Sequence, residues 1–179
     1  VNPFYVGEIA SALKGVDIPV FVKNPIHPEI GLWIGALERL NQAGVNKLAA
    51  IHRGFYNYKE SAFRNDPKWE MPIKLREEAR DLPIICDPSH IAGKSSLIED
   101  VSQTAMDINL DGLMIETHNR PSSALSDSQQ QVTPQELKIL LTNLILRDAK
   151  LRDEVFKDEL LDFRKQIDLL DHQIIELLN

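Results

Sequence analysis

The residues with the greatest chemical potential in this sequence sit directly after short apolar runs. Lys23 follows Val20-Phe21-Val22, Arg53 follows Ala50-Ile51-His52, His90 closes Cys86-Asp87-Pro88-Ser89-His90, and Glu116 follows Leu113-Met114-Ile115. Asp127 stands a little beyond, in Ala124-Leu125-Ser126-Asp127. The set divides by charge. Lys23 and Arg53 are permanent cations able to clamp a phosphate or carboxylate, Arg through its planar fork and Lys as a point charge. His90, Glu116 and Asp127 offer one nitrogen and two carboxylates, a donor set that suits Mn²⁺, Fe²⁺ or Zn²⁺.

Each residue also has a plainer reading. Lys23 and Arg53 could be surface side chains lying along apolar stems. His90 could be a satisfied loop histidine, and Asp127 a turn residue. Glu116 is harder to dismiss, because an unpaired carboxylate after an apolar run is costly to bury. Cys86 reads as a small buried strand residue. Gly93-Lys94-Ser95 has the tail of a phosphate-binding loop, but the first glycine of that motif would fall at Pro88, which excludes it.

The elements that would position these residues alternate. Helices are expected over 4–13, 31–43, 71–79 and 96–109, with a further helix opened by Thr133-Pro134, where Thr caps and Pro takes the first turn. Strands are expected over 18–22, 47–51, 82–86 and 113–116, and loops over 61–69 and 119–132. The strand runs are apolar throughout rather than alternating, as buried parallel strands are. Either a barrel or a doubly wound sheet meets that pattern. No Gly-x-Gly-x-x-Gly follows a strand, which removes the dinucleotide-binding version. In a (β/α)8 barrel the C-terminal strand ends build the active site, and four successive tips carrying Lys, Arg, His and Glu fit that geometry.

The last thirty residues have a different texture. Charge is dense from Lys150, Gly and Pro vanish, and Leu160, Phe163, Ile167, Leu170, Ile174 and Leu177 recur every three or four residues. That is a helix with an apolar seam. The expected organisation is an α/β portion over 1–149 and the beginning of an all-α domain over 150–179, with the boundary between Arg147 and Glu154.

The whole chain sets further bounds. It has 179 residues, whereas a complete (β/α)8 barrel takes about 250. The net charge of -7 argues against nucleic-acid binding. A single Cys excludes an internal disulfide framework and suits a reducing cytoplasm. No apolar run is long enough to span a bilayer, and Val1-Asn2-Pro3-Phe4-Tyr5 does not read as a signal peptide. The missing initiator Met points to a chain that begins inside a larger protein.

Taken in order, Val22-Lys23, Ile51-His52-Arg53-Gly54, Cys86-Asp87-Pro88-Ser89-His90, Met114-Ile115-Glu116-Thr117-His118 and Ala124-Leu125-Ser126-Asp127-Ser128-Gln129-Gln130 resemble type I 3-deoxy-D-arabino-heptulosonate 7-phosphate (DAHP) synthase. The resemblance is to the branch shared with 3-deoxy-D-manno-octulosonate 8-phosphate synthase, and it runs from about Asn2 to Leu146. It implies the C-terminal portion of a (β/α)8 TIM barrel. It makes His90, Glu116 and Asp127 ligands of a divalent metal (Mn, Fe, Zn or Co), and Lys23 and Arg53 ligands of phosphoenolpyruvate. Lys23, Arg53 and His90 become the expected catalytic set. Arg64-Asn65 resembles an Arg-Asn pair of the family and is expected to touch substrate.

The family condenses phosphoenolpyruvate with erythrose 4-phosphate and releases phosphate. Its octulosonate relative takes arabinose 5-phosphate instead; Ser128-Gln129-Gln130 favours the heptulosonate enzyme. Three features depart from the pattern. The family's fourth metal ligand, a Cys after Gly-Pro, is absent, as is its Lys-Pro-Arg-Thr segment, and Asn24-Pro25 follows Lys23 where the family commonly has Arg or Lys. This stretch alone is therefore expected to be inactive.

Phe163-Arg164-Lys165-Gln166-Ile167-Asp168-Leu169-Leu170-Asp171 is similar to the first helix of an all-helical chorismate mutase, in which Arg164 would bind a carboxylate of chorismate. The expected whole is a bifunctional cytoplasmic homo-oligomer. A helix that packs on a partner through its seam, and a non-catalytic regulatory or assembly module, are the alternatives from other classes.

Overall fold

The computed structural model describes residues 3–59, 61–146, 162–171 and 173–174. The chain divides into two compact units, residues 1–146 and residues 147–179. The expected boundary between Arg147 and Glu154 lies outside the described residues, as do Leu160 and Leu177 of the seam.

The first unit runs α1 (Pro3–Ala12), β1 (Val20–Lys23), α2 (Ile30–Gln42), β2 (Leu48–His52), α3 (Glu70–Glu78), β3 (Ile84–Cys86), α4 (Pro88–Ala92), α5 (Ile98–Asp107), β4 (Gly112–Leu113) and α6 (Pro134–Asn143). Short 3-10 turns stand at Ser95–Leu97, Pro121–Ser123 and Ser128–Gln130. The four strands form one sheet in the order β1-β2-β3-β4, and every pair is parallel. A doubly wound sheet reverses its strand order at a switch point. Here each strand lies beside the next in sequence, as around a (β/α)8 barrel, and this decides between the two architectures left open above.

Register sets which side chains share a face. Lys23 pairs with Ile51 and Ile51 with Ile85. Alternation therefore puts Val22, Ala50, Ile84 and Cys86 on the opposite face. That face carries the core: Trp33, Leu37 and Leu40 of α2, Leu75 of α3, and Ile98, Val101 and Ala105 of α5 pack against it. On the Lys23 face of the edge strand, Phe21 is 49% exposed.

Local sequence explains the helices. Trp33, Ala36, Leu37 and Leu40 recur at helical spacing, so burying that stripe drives α2 onto the sheet. Thr133 accepts from the Glu136 amide while the Glu136 carboxylate accepts from the Thr133 amide, a complete capping box at the start of α6.

Two features differ from expectation. The fourth strand has two ladder residues rather than four: the Met114 amide still bonds the Cys86 carbonyl, but the next extended pairing, Thr117 with Val132, is made with the following loop. The Asp87–His90 tip is not a loop but the start of α4, with Asp87 as N-cap and Pro88 in the first turn. The described residues of the second unit are helical over 162–171 and exposed, with Phe163, Ile167, Leu170 and Ile174 each more than half accessible. Among the described residues, no helix is long and apolar enough to cross a membrane.

Candidate metal and anion site

The tips of β1 and β2 are stapled by Asn24. It is 3% exposed and donates from Nδ2 to the carbonyls of Pro25 and Gly54, both at 2.8 Å, while its Oδ1 accepts from the Arg53 amide at 2.7 Å. The residue that departs from the family pattern thus fixes the backbone on which Lys23 and Arg53 stand. Arg53 Nε is buried without a hydrogen-bond partner among the described residues, and the guanidinium charge acts on Asp127. The neighbouring His52 faces the helices. It is fully buried between Trp33, Phe55 and Trp69, with ring centroids 5.4–6.3 Å apart.

At the β3 tip, Asp87 is 1% exposed and collects three donors. The His90 amide donates to it at 3.1 Å as the helix cap, His90 Nδ1 lies 2.8 Å from Oδ2, and the Lys23 ammonium lies 3.0 Å from Oδ2. Burial alone would raise the Asp87 carboxyl. The hydrogen bonds from His90, with that from Lys23, outweigh it and hold the group below the usual carboxylate range. With Nδ1 facing a carboxylate, the geometry assigns its proton there and leaves Nε2 as the free lone pair.

Nε2 points toward Glu116, 3.8 Å from its Oε1. Glu116 is anchored on both sides: its amide donates to Ser89 Oγ, its carbonyl accepts from Val132, and its Oε2 accepts from Gln130 Nε2 at 2.8 Å. Gln130, 1% exposed, passes the contact on, its Oε1 accepting from Arg64 at 2.6 Å. The same Arg64 nitrogen donates to Asp127 Oδ1 at 2.6 Å. That guanidinium holds the Asp127 carboxyl below its ordinary range.

Arg64 is placed by backbone. Its amide bonds the Ala92 carbonyl, the Asn65 amide bonds Ile91, and Asn65 Nδ2 bonds the His90 carbonyl at 2.7 Å. Asp127 has φ 51°, in the left-handed region that Asp tolerates better than most residues.

His90, Glu116 and Asp127 each offer a ligand atom, and the three atoms lie within 4.8 Å of one another. Ligands at the usual ~2.0–2.2 Å from a transition metal are up to about 4 Å apart, so a small inward shift would complete three coordination positions. The donor set fits a borderline divalent ion, and the presentation of His90 Nε2 toward Glu116 fits it independently of residue type. Cys86 cannot supply the fourth position. It is fully buried on the helix-facing side of the sheet, and burial, with the Asp87 charge, pushes its thiol up, away from the thiolate a metal needs.

The structure thus gathers Lys23, Arg64, Asn65, His90, Glu116 and Asp127 of the expected set around one end of the sheet, with Arg53 at the adjacent tip. Arg164 belongs to the second unit, exposed on its helix. Asp87 and Gln130 were not foreseen. Asp87 had a signal, since Asp before Pro is a helix start whose third residue is His90. Gln130 stood only within the Ser128-Gln129-Gln130 resemblance, and nothing marked its contacts, as its partners lie 14 and 66 residues away.

Comparison with known proteins agrees with the fold. The model of the DAHP synthetase I family matches residues 8–150. The phospho-2-dehydro-3-deoxyheptonate aldolase of Thermotoga maritima is 29% identical over 126 residues, covering 70% of this chain and 37% of the relative. The 2-dehydro-3-deoxyphosphooctonate aldolase of Wolinella succinogenes is 34% identical over 74 residues, 35% of this chain and 28% of the relative. The crystal structure of the Thermotoga maritima DAHP synthase superposes with a TM-score of 0.70 at 28% identity, covering 79% of this chain and 40% of that one. A truncated form of the synthase from the same organism gives 0.70 at 25% identity, over 79% and 54%. The chain belongs to the DAHP synthetase I family, and it spans well under two thirds of the length of these relatives.

Proposed function

We propose that this chain carries the metal-binding and phosphoenolpyruvate-binding part of a 3-deoxy-7-phosphoheptulonate synthase, which condenses phosphoenolpyruvate with erythrose 4-phosphate. The observation that carries the reading is the convergence of His90, Glu116 and Asp127 beside two cations, Lys23 and Arg53, at the ends of parallel strands. In this reading His90 Nε2, a Glu116 oxygen and an Asp127 oxygen hold a divalent ion. When bound, that ion supplies Lewis acidity that polarises the aldehyde oxygen.

The chain's own residues do the rest. Arg53, whose buried Nε has no hydrogen-bond partner among the described residues, pairs with the phosphate or carboxylate of phosphoenolpyruvate. Lys23 supplies the second positive charge. Asn24 keeps the two tips in register, so the anion is bound by groups already in place and less ordering remains to be done on binding. Arg64, on the Asp127 carboxylate, and Asn65, on the His90 carbonyl, are the residues assigned to the aldose.

A five-carbon aldose is the alternative, favoured by the similarity to 2-dehydro-3-deoxyphosphooctonate aldolases. The second unit is assigned to the start of a chorismate mutase domain, on its charged amphipathic helix and Arg164. A cytoplasmic homo-oligomer completes the proposal.

The test is phosphoenolpyruvate consumption by the native protein, with erythrose 4-phosphate and with arabinose 5-phosphate, before and after exhaustive chelation. The proposal expects turnover with erythrose 4-phosphate that chelation abolishes and metal restores. Preference for arabinose 5-phosphate would move the assignment to the octulosonate enzyme. Full activity after chelation would remove the metal role.

A further inference from the structure

Asp87 joins two subsites that the proposed chemistry treats as separate. It is 1% exposed, yet accepts from Lys23 on β1 and from both the amide and Nδ1 of His90 on α4. Lys23 is one of two cations offered to the phosphoenolpyruvate anion, and His90 is the nitrogen donor offered to the metal. One carboxylate therefore divides its charge between an ammonium and an imidazole 67 positions apart in sequence, with no alternative hydrogen-bond partner for the Lys23 ammonium among the described residues.

Resting on the function proposed above, we infer that Asp87 is a positioning residue that couples metal occupancy to anion occupancy. Its carboxylate turns the His90 ring and raises the basicity of Nε2, as carboxylates behind metal-binding imidazoles do. The same carboxylate competes with an incoming phosphate for Lys23, because two anions share one cation. When an anion draws Lys23 away, Asp87 is left to His90 alone, its full charge strengthens the Nδ1 hydrogen bond, and the metal is held more tightly. Linkage requires the reverse: a bound metal makes Nδ1–H a stronger donor, Asp87 relaxes its hold on Lys23, and the anion binds better.

This arrangement gives Asp87 a signature that a merely structural residue lacks. Asp87→Asn keeps an oxygen to cap α4 and to accept from Nδ1, so the fold is retained, but it removes the charge. Cobalt(II) affinity of the native protein, followed by its visible absorption, should fall roughly 10–100-fold. Phosphoenolpyruvate affinity of the metal-free protein, measured by calorimetry, should be unchanged or tighter, since the competing anion is gone. Metal should then improve phosphoenolpyruvate binding less in the variant than in the native protein.

Weakening of both ligands together in a protein of unchanged thermal midpoint would overturn the inference. So would an unchanged cobalt affinity. Lys23→Ala serves as a second variant: it should weaken phosphoenolpyruvate without weakening cobalt, and a loss of cobalt affinity there would equally contradict the scheme. Failure of the native protein to bind cobalt at all would instead remove the function on which the inference rests.

Discussion

Gly93 and Arg64 are packed so closely that a Cβ on the first would overlap the Cβ of the second. Gly93 ends α4 with φ +68°, in the left-handed region that glycine enters without strain. Gly54 does the same at the β2 tip, where an added Cβ would come within 2.8 Å of Asn65 Cβ. Two glycines thus let the 64–65 backbone lie against the ends of β2 and α4, and this close approach delivers Arg64 to Asp127 and Gln130.

Gly93→Ala should therefore cost more than left-handed strain alone, which is about 1–2 kcal/mol. Gly15 is the control: it has φ +80° but nothing within 4 Å of its Cβ position. In urea titrations Gly15→Ala should show only the strain, and Gly93→Ala a larger loss together with weaker metal binding. Equal losses would show that the contact with Arg64 carries no energy.

His52 predicts a pH dependence. Burial among aromatic rings lowers its imidazole from 6.5 to about 4, against smaller opposing effects of the Pro67 carbonyl and the Asp87 charge. Between those pH values the unfolded chain takes up a proton that the folded chain refuses, so stability is complete above pH 6.5 and falls as pH drops toward 4. The full effect is about 3 kcal/mol. The depressed carboxyls of Asp87 and Asp127 act in the same direction but lower, below their ordinary 3.8. Denaturation midpoints at pH 7 and pH 4.5 should differ accordingly, and His52→Leu should flatten most of that slope. A slope unchanged by the substitution would assign it elsewhere.

Gln130 should matter to metal binding without touching the metal. It orients Glu116 through Nε2 and Arg64 through Oε1. Gln130→Ala frees both, and metal affinity should fall roughly tenfold or more. Gln130→Glu should be worse, because it places a second carboxylate against Glu116. Cobalt titration of the two variants checks the order.

Much of this architecture was legible in the residues. The four apolar runs became four parallel strands because continuous apolarity means burial on both faces, and the cations and carboxylates at their ends lie where a barrel builds its site. What escaped was short or long-range. α4 is five residues, too brief for a periodic signal, so His90 read as a loop residue although Asp87-Pro88 marks a helix start. Met114 to Glu116 read as strand on composition, but beyond the Met114 bond to Cys86 the ladder stops, and Val132 of the following loop bonds the Glu116 carbonyl. Asn24 registered only as a departure from a pattern, because the two carbonyls and the amide it staples are set by tertiary structure.

The proposed function rests on His90, Glu116 and Asp127 holding one divalent ion. Cobalt(II) titration of the native protein, alongside His90→Ala, Glu116→Gln and Asp127→Asn, tests it most directly. The native protein should bind one equivalent with absorption bands of a nitrogen- and oxygen-ligated ion, and each variant should lose at least tenfold in affinity with its thermal midpoint retained. Native-like cobalt binding in any one of the three would contradict it.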